Sequence, residues 1–203
     1  MTALLRLLSV LLLLAPVVWA KGDRFAADLA AIEAYLDGLR RFQARFLQIG
    51  PEGEESLGTL YVKRPGRLRI DYDPPSKVRL IATDWRLIFY DGSIKQVNTI
   101  PLSQTPLAFL LEEQIRFAEE IEVAAVERWS GELWVTVMRR EVPEAGRVTL
   151  RFRESPLNLS GWLVQDPQGR LTEVRILSLE TDLRLPDELF RWRDPRIFGL
   201  PDD

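Results

Sequence analysis

LYVKRPGRLRIDYDPP, residues 60 to 75, is the stretch whose reading decides the fold. Its even positions include Leu60, Val62, Arg64, Leu68, Ile70 and Tyr72, and its odd positions Tyr61, Lys63, Arg67, Arg69 and Asp71. Alternation of this kind marks strand with one face in water and one face out of it. Arg64 is the exception, a cation on the apolar side. A buried guanidinium without a partner costs several kcal/mol, so Arg64 needs a partner or a task.

Working outward, the same two-residue rhythm recurs. Upstream, FQARFLQI (42 to 49) alternates Phe42, Ala44, Phe46 and Gln48 with Gln43, Arg45 and Leu47. Downstream, apolar-alternating runs at 78–83, 86–90, 94–99, 121–129, 132–139, 147–153, 159–166 and 169–180 are separated by Asp-Gly, Ser-Gly, Pro-Glu-Ala-Gly and Asp-Pro-Gln-Gly turns. Two segments depart from this rhythm. Phe25, Leu29, Ile32, Leu36 and Leu39 form a helical stripe, with Asp23 as cap and Asp37-Gly38 as the stop. A single helix over 23–48 is the competing reading, because Phe42 and Phe46 also lie four apart; Gly38 argues against it. PLAFLLEE (106 to 113) reads as a short helix with Thr105 as cap and Pro106 at its first position. The expected fold is mainly β (α+β), an incomplete, curved antiparallel barrel of roughly ten or eleven strands. Its apolar concave face would be covered by the N-terminal helix and a short central helical lid. That face would hold either an ordinary filled core or an apolar ligand beneath the lid.

Composition removes several classes of function. The 203 residues contain no His and no Cys, which excludes Ser-His-Asp and Cys-His catalysis and deprives zinc of its preferred ligands. No cofactor or metal is expected. Asp71 with Asp73, and Glu119 with Glu120, are the carboxylate pairs that could serve acid–base or hard-metal chemistry, but nothing in the sequence brings two of them together, and a solvated face is the better reading. GPEGEES (50 to 56) suits an exposed hairpin loop, and Asn158-Leu159-Ser160 matches a glycosylation sequon at chance frequency. With 27 basic and 30 acidic residues and no basic block, nucleic acid and anionic membrane surfaces are poor partners.

MTALLRLLSVLLLLAPVVWA, residues 1 to 20, carries one cation at Arg6, an apolar run and small residues at Val18 and Ala20, the pattern of a cleaved secretory signal. The alternative, a membrane anchor, needs roughly twenty uninterrupted apolar residues, and Pro16 interrupts a shorter run. Residues 21–203 are then expected to form a single exported domain, untethered because there is no Cys to lipidate.

Four blocks in register carry a family resemblance. FLQ (46 to 48), GTLYVKRPGRLRIDYDPP (58 to 75), LIFYDGSIKQV (87 to 97) and TPLAFLL (105 to 111) resemble the bacterial outer-membrane lipoprotein carrier family, LolA, along nearly the whole exported chain. The chain departs from that pattern at Asp84-Trp85, where Asp-Gly is usual, and in its ending FRWRDPRIFG (190 to 199). The resemblance implies a non-enzymatic, monomeric carrier in the periplasm. Its cargo would be acylated lipoproteins, taken from an inner-membrane lipoprotein-releasing ABC transporter and delivered to the outer membrane through a lipoprotein receptor where one exists.

The resemblance also implies roles for particular residues. Arg64 matches the arginine that latches the lid. Leu60, Val62, Leu68, Ile70 and Tyr72 would line the acyl-chain cavity, with Leu36 and Leu110 facing it from the lid. Two rival functions stand beside this one: a related periplasmic lipid carrier or lipoprotein sensor on the same scaffold, and a carboxylate-dependent hydrolase.

Overall fold

The computed structural model describes residues 21–117 and 121–198. The segment read as an export signal, residues 1–20, lies outside the described residues, and so do Glu119 and Glu120. Helix α1 (Lys21–Gly38) leads into a first meander of β1 (Arg41–Ile49), β2 (Glu55–Lys63), β3 (Arg67–Tyr72), β4 (Val78–Thr83), β5 (Arg86–Asp91) and β6 (Gln96–Pro101). A second meander holds β7 (Ile121–Trp129), β8 (Glu132–Arg139), β9 (Arg147–Glu154), β10 (Leu157–Gln165) and β11 (Leu171–Thr181). A four-residue helix, α2 (Pro195–Phe198), lies near the end of the described chain. Asp23, expected as the cap of α1, instead falls inside the helix, and its side chain is outside the described residues.

The opening stretch is a hairpin. Its parity survives the turn because Lys63 pairs with Arg67, which makes Val62 face Leu68 and Leu60 face Ile70. Even-numbered residues of β2 and β3 therefore share one face of the sheet.

The expected curved, incomplete barrel does not form. All neighbouring strands pair antiparallel in one open sheet ordered β6-β5-β4-β3-β2-β1-β11-β10-β9-β8-β7, and the sheet is neither closed nor strongly curled. Pairing of β1 with β11 joins the two meanders at the centre and leaves β6 and β7 as outer edges. Residues 102–117, which follow β6, lie over the sheet face as the roof described below, and β6 ends in Pro101, which has no N–H to give to a ladder.

Within the expected helix over 106–113 the chain forms only a 3₁₀ turn, Ala108–Leu111, with another, Leu102–Gln104, just before it. Thr105 lies between them with φ −97° and ψ 142°, extended as a residue before proline must be. Its hydroxyl and its N–H both donate to Leu102 O, at 2.8 and 2.9 Å, so it closes the first turn and does not cap a helix.

Packing on the two meanders differs. Helix α1 lies over the second: the Tyr35 ring meets Phe152 edge-on at 5.9 Å, and the Leu159 N–H donates to the Tyr35 hydroxyl at 3.0 Å. Beneath it Val135, Val137, Val148, Leu150 and Phe152 are buried in an ordinary filled core. On the first meander the opposite face is the one that is sealed. Ile81, Ile88 and Tyr90 are buried there with Leu185 and Phe190 of the C-terminal segment, and Tyr90 meets Trp192 at 5.7 Å. Lys63 and Arg67 pair with Asp187 and hold that segment down.

Candidate functional site

The roofed face of β2–β5 is not filled. A cavity of about 320 Å³ opens there, lined by Leu60, Val62, Leu68 and Ile70 from the hairpin, by Leu80, Ala82 and Leu87 beyond it, and by Trp162 from β10. Its roof is built by Leu36 of α1 and by Leu107, Leu110 and Leu111 of the 3₁₀ segment. Tyr72 lines an adjoining cavity of about 230 Å³, which shares Leu60, Ile70, Leu80, Leu107, Trp162 and Val164 with the first. Seven of the eight residues singled out from the sequence thus surround one apolar space, and Tyr72 marks its continuation.

Arg64 sits at the turn between β2 and β3 with its side chain 2% exposed. Burial alone would lower its pKa; the hydrogen bond and charge of Asp37 pull the other way. Each of its three nitrogens donates within the protein. Nε donates to Glu112 O at 2.8 Å, Nη1 to Leu36 O at 2.5 Å, and Nη2 to Glu113 O at 3.0 Å and Asp37 Oδ1 at 3.1 Å. The Gly66 N–H adds a bond to Leu111 O at 2.8 Å, so one hairpin turn grips three successive carbonyls of the roof and the last turn of α1. Gly66 has φ +69°, a conformation that glycine adopts without strain and that aims its N–H at the roof.

Sequence reasoning missed the carboxylates behind Arg64. Asp37 Oδ1 accepts from the Ile115 N–H at 2.9 Å, its Oδ2 accepts from Arg116 at 2.6 Å, and Glu33 accepts from the Phe117 N–H at 2.6 Å. Burial pushes the Asp37 pKa up, but the bonds from Arg116, Ile115 and Arg64 outweigh it and hold the group below its ordinary value. The only local signal was Asp37 standing at a helix end, where helix-dipole electrostatics disfavour an acid. At the other side of the roof Arg139 donates to Ser103 O.

The candidate catalytic carboxylates are not brought together for chemistry. Asp71 is held between Arg69 and Arg79, at 2.6 and 2.8 Å, and Asp73 is paired with Arg45 at 2.6 Å. Among the described residues no cluster of three or more His, Cys, Asp or Glu side chains is placed to hold a metal.

An apolar space on one face of an open sheet, roofed by a helix and a loop that a buried arginine ties shut, defines a binding scaffold and not a reaction centre. The family model described as "Outer membrane lipoprotein carrier protein LolA" matches residues 37–193, and the chain belongs to that family. A protein of Methylococcus capsulatus named outer-membrane lipoprotein carrier protein is 28% identical over 173 residues, covering 81% of this chain and 82% of its own. One of the same name from Legionella pneumophila (strain Corby) is 25% identical, covering 81% and 85%. The crystal structure of a DUF1329 family protein from Desulfovibrio piger shares the fold, with a TM-score of 0.52 at 14% identity over 83% of this chain and 96% of that one. Carriers of this family are soluble periplasmic proteins without catalytic activity; this chain is a periplasmic carrier scaffold and not an enzyme.

Proposed function

We propose that the protein binds the acyl chains of lipoproteins released from the inner membrane and carries them across the periplasm to the outer membrane. The observation that carries this reading is a buried arginine at the edge of an apolar cavity: Arg64 borders a space lined by Leu60, Val62, Leu68 and Ile70, and each of its three nitrogens donates to the roof or to α1.

The energetics suit a carrier that must let go. Burying a methylene contributes about 0.8 kcal/mol, so a chain of fifteen is worth on the order of 12 kcal/mol. A permanently open cavity would retain that cargo. Charge-assisted hydrogen bonds contribute roughly 1.5–3 kcal/mol each, so an empty state that recovers those of Arg64 competes with bound lipid. In this reading Leu36 and Leu110 are lid residues, Arg64 is the latch, and Leu60, Val62, Leu68, Ile70 and Tyr72 are the acyl-chain wall. An inner-membrane ABC transporter loads the carrier, and an outer-membrane receptor, where present, unloads it.

Arg64→Leu tests the latch. The variant should accept lipoprotein as well as the parent protein, because its cavity is more apolar, but should pass it to acceptor membranes at least about tenfold more slowly, the equivalent of losing one such bond. Delivery at the parent rate in a reconstituted transfer assay would overturn the reading of Arg64 as a latch.

A further inference from the structure

The two adjoining cavities differ in chemistry. Strand β1 runs from Phe42, in the first cavity beside the end of α1, to Phe46 and Gln48 in the second; β3 likewise runs from Leu68 to Tyr72. Apart from the Trp162 indole, the first cavity has two polar side chains in its wall, and both donate within the protein: Arg64 to the roof and α1, Thr105 to Leu102 O. The far end of the second carries Gln48, Tyr72 and Thr172. There the Tyr72 hydroxyl donates to Gln48 Oε1 at 2.8 Å, and the Phe46 ring, edge-on to Tyr72 at 5.6 Å, backs it. Among the described residues nothing in the chain accepts from Gln48 Nε2 or from the Thr172 hydroxyl. Tyr72 therefore holds the Gln48 amide by its oxygen, and the amide N–H₂ is left without an acceptor in the described chain at that end of the second cavity.

We infer that Gln48, Tyr72 and Thr172 form a head-group subsite for the neutral ester carbonyls of a diacylglyceryl group, with the acyl methyl ends lying toward Leu36 and Arg64. The inference rests on the carrier reading and adds to it an orientation and a head-group chemistry. Ester carbonyls accept hydrogen bonds and carry no charge, which matches a rim that offers an amide N–H₂ and a hydroxyl and no ionised group. A fatty-acid carboxylate or a phosphate would need a cation. Arg64 is the only charged residue lining either cavity, and it is committed at the opposite end. Leaving either kind of anion there unpaired is costly, whereas a carbonyl meeting Gln48 Nε2 is satisfied.

The test compares two synthetic lipopeptides, an S-(dipalmitoylglyceryl)-cysteinyl pentapeptide and its dialkyl ether counterpart, which lacks the carbonyls and keeps the chains. A pyrene-labelled alkane serves as a head-less probe. The parent protein should prefer the ester over the ether by about fivefold or more, the scale of one or two neutral hydrogen bonds. Gln48→Leu and Thr172→Val should each erode that preference and leave ether and alkane affinities unchanged. Equal affinity of the parent protein for ester and ether overturns the subsite, as does a loss in the variants that is the same for both ligands. The ester–ether comparison uses the unaltered chain, so it stands even where a variant folds poorly. A parent protein that binds the alkane and neither lipopeptide overturns the carrier reading itself, and the subsite with it.

Discussion

Asp37 joins helix α1, Arg64 and the roof segment through a single carboxylate. It accepts from Arg64, from Arg116 and from the Ile115 N–H, so closure depends on its charge as much as on that of Arg64. The sign of the pH effect follows from its depressed pKa. A carboxylate whose folded pKa lies below its ordinary value of 3.8 contributes stability that is complete above that value and is lost as pH falls through the folded pKa. At neutral pH the roof is held; in acid it should loosen. The Ile115 amide reports this directly, because its hydrogen-exchange protection depends on the bond to Asp37. In Asp37→Asn that protection should fall about tenfold at neutral pH, the scale of one charge-assisted bond, and should no longer decline further on acidification. Unchanged protection at Ile115 would mean that packing of Ile115, which is buried, holds the segment without Asp37.

At the scale of elements, the roof and the C-terminal segment cover opposite faces of the first meander and should fail differently. Leu110 lines the cavity from the 3₁₀ turn, and Leu110→Glu would place a charge against that apolar space. Cargo binding should weaken at least tenfold while thermal stability changes little, because the turn can lift away from the sheet. Phe190, 1% exposed on the other face, is part of the structural seal. Phe190→Ala should cost about 3–5 kcal/mol of stability in denaturant unfolding and leave the affinity of the folded protein nearly intact. A stability loss in Leu110→Glu as large as that in Phe190→Ala would make the roof part of the core. The contrast also marks what was legible in the chain. The parity of Leu60, Val62, Leu68 and Ile70 could be read because one hairpin fixes it locally, and the approximate strand count followed from turn chemistry, whereas the pairing of β1 with β11 had no local signal. Whether the outer strands meet could not be read, since that depends on how residues 102–117 cross the sheet, where the expected helix over 106–113 shortens to the 3₁₀ turn Ala108–Leu111. Asp37 and Glu33 escaped notice because their partners lie 78 and 84 residues away, beyond any local pattern.

For the whole molecule, the sheet face is a filled core in one region and open space in another. The second meander under α1 is packed with Val135, Val137, Val148, Leu150 and Phe152, whereas the roofed part of the first keeps open space. In the carrier proposal such a division would let one half keep the fold while the other opens, since the Arg64 and Asp37 bonds lie outside the buried core of β8 and β9. An environment-sensitive hydrophobic dye should register both states. It should bind the empty parent protein weakly, because closure reduces the competent population, and bind Arg64→Leu several-fold more tightly. Lipopeptide should displace it from both. Circular dichroism recorded in the same samples must show an intact sheet, which excludes dye uptake by unfolded chain. Weak, equal binding by parent and variant under those conditions would mean that the space beneath Leu107, Leu110 and Leu111 stays shut without Arg64, and that the roof is held by its apolar contacts alone.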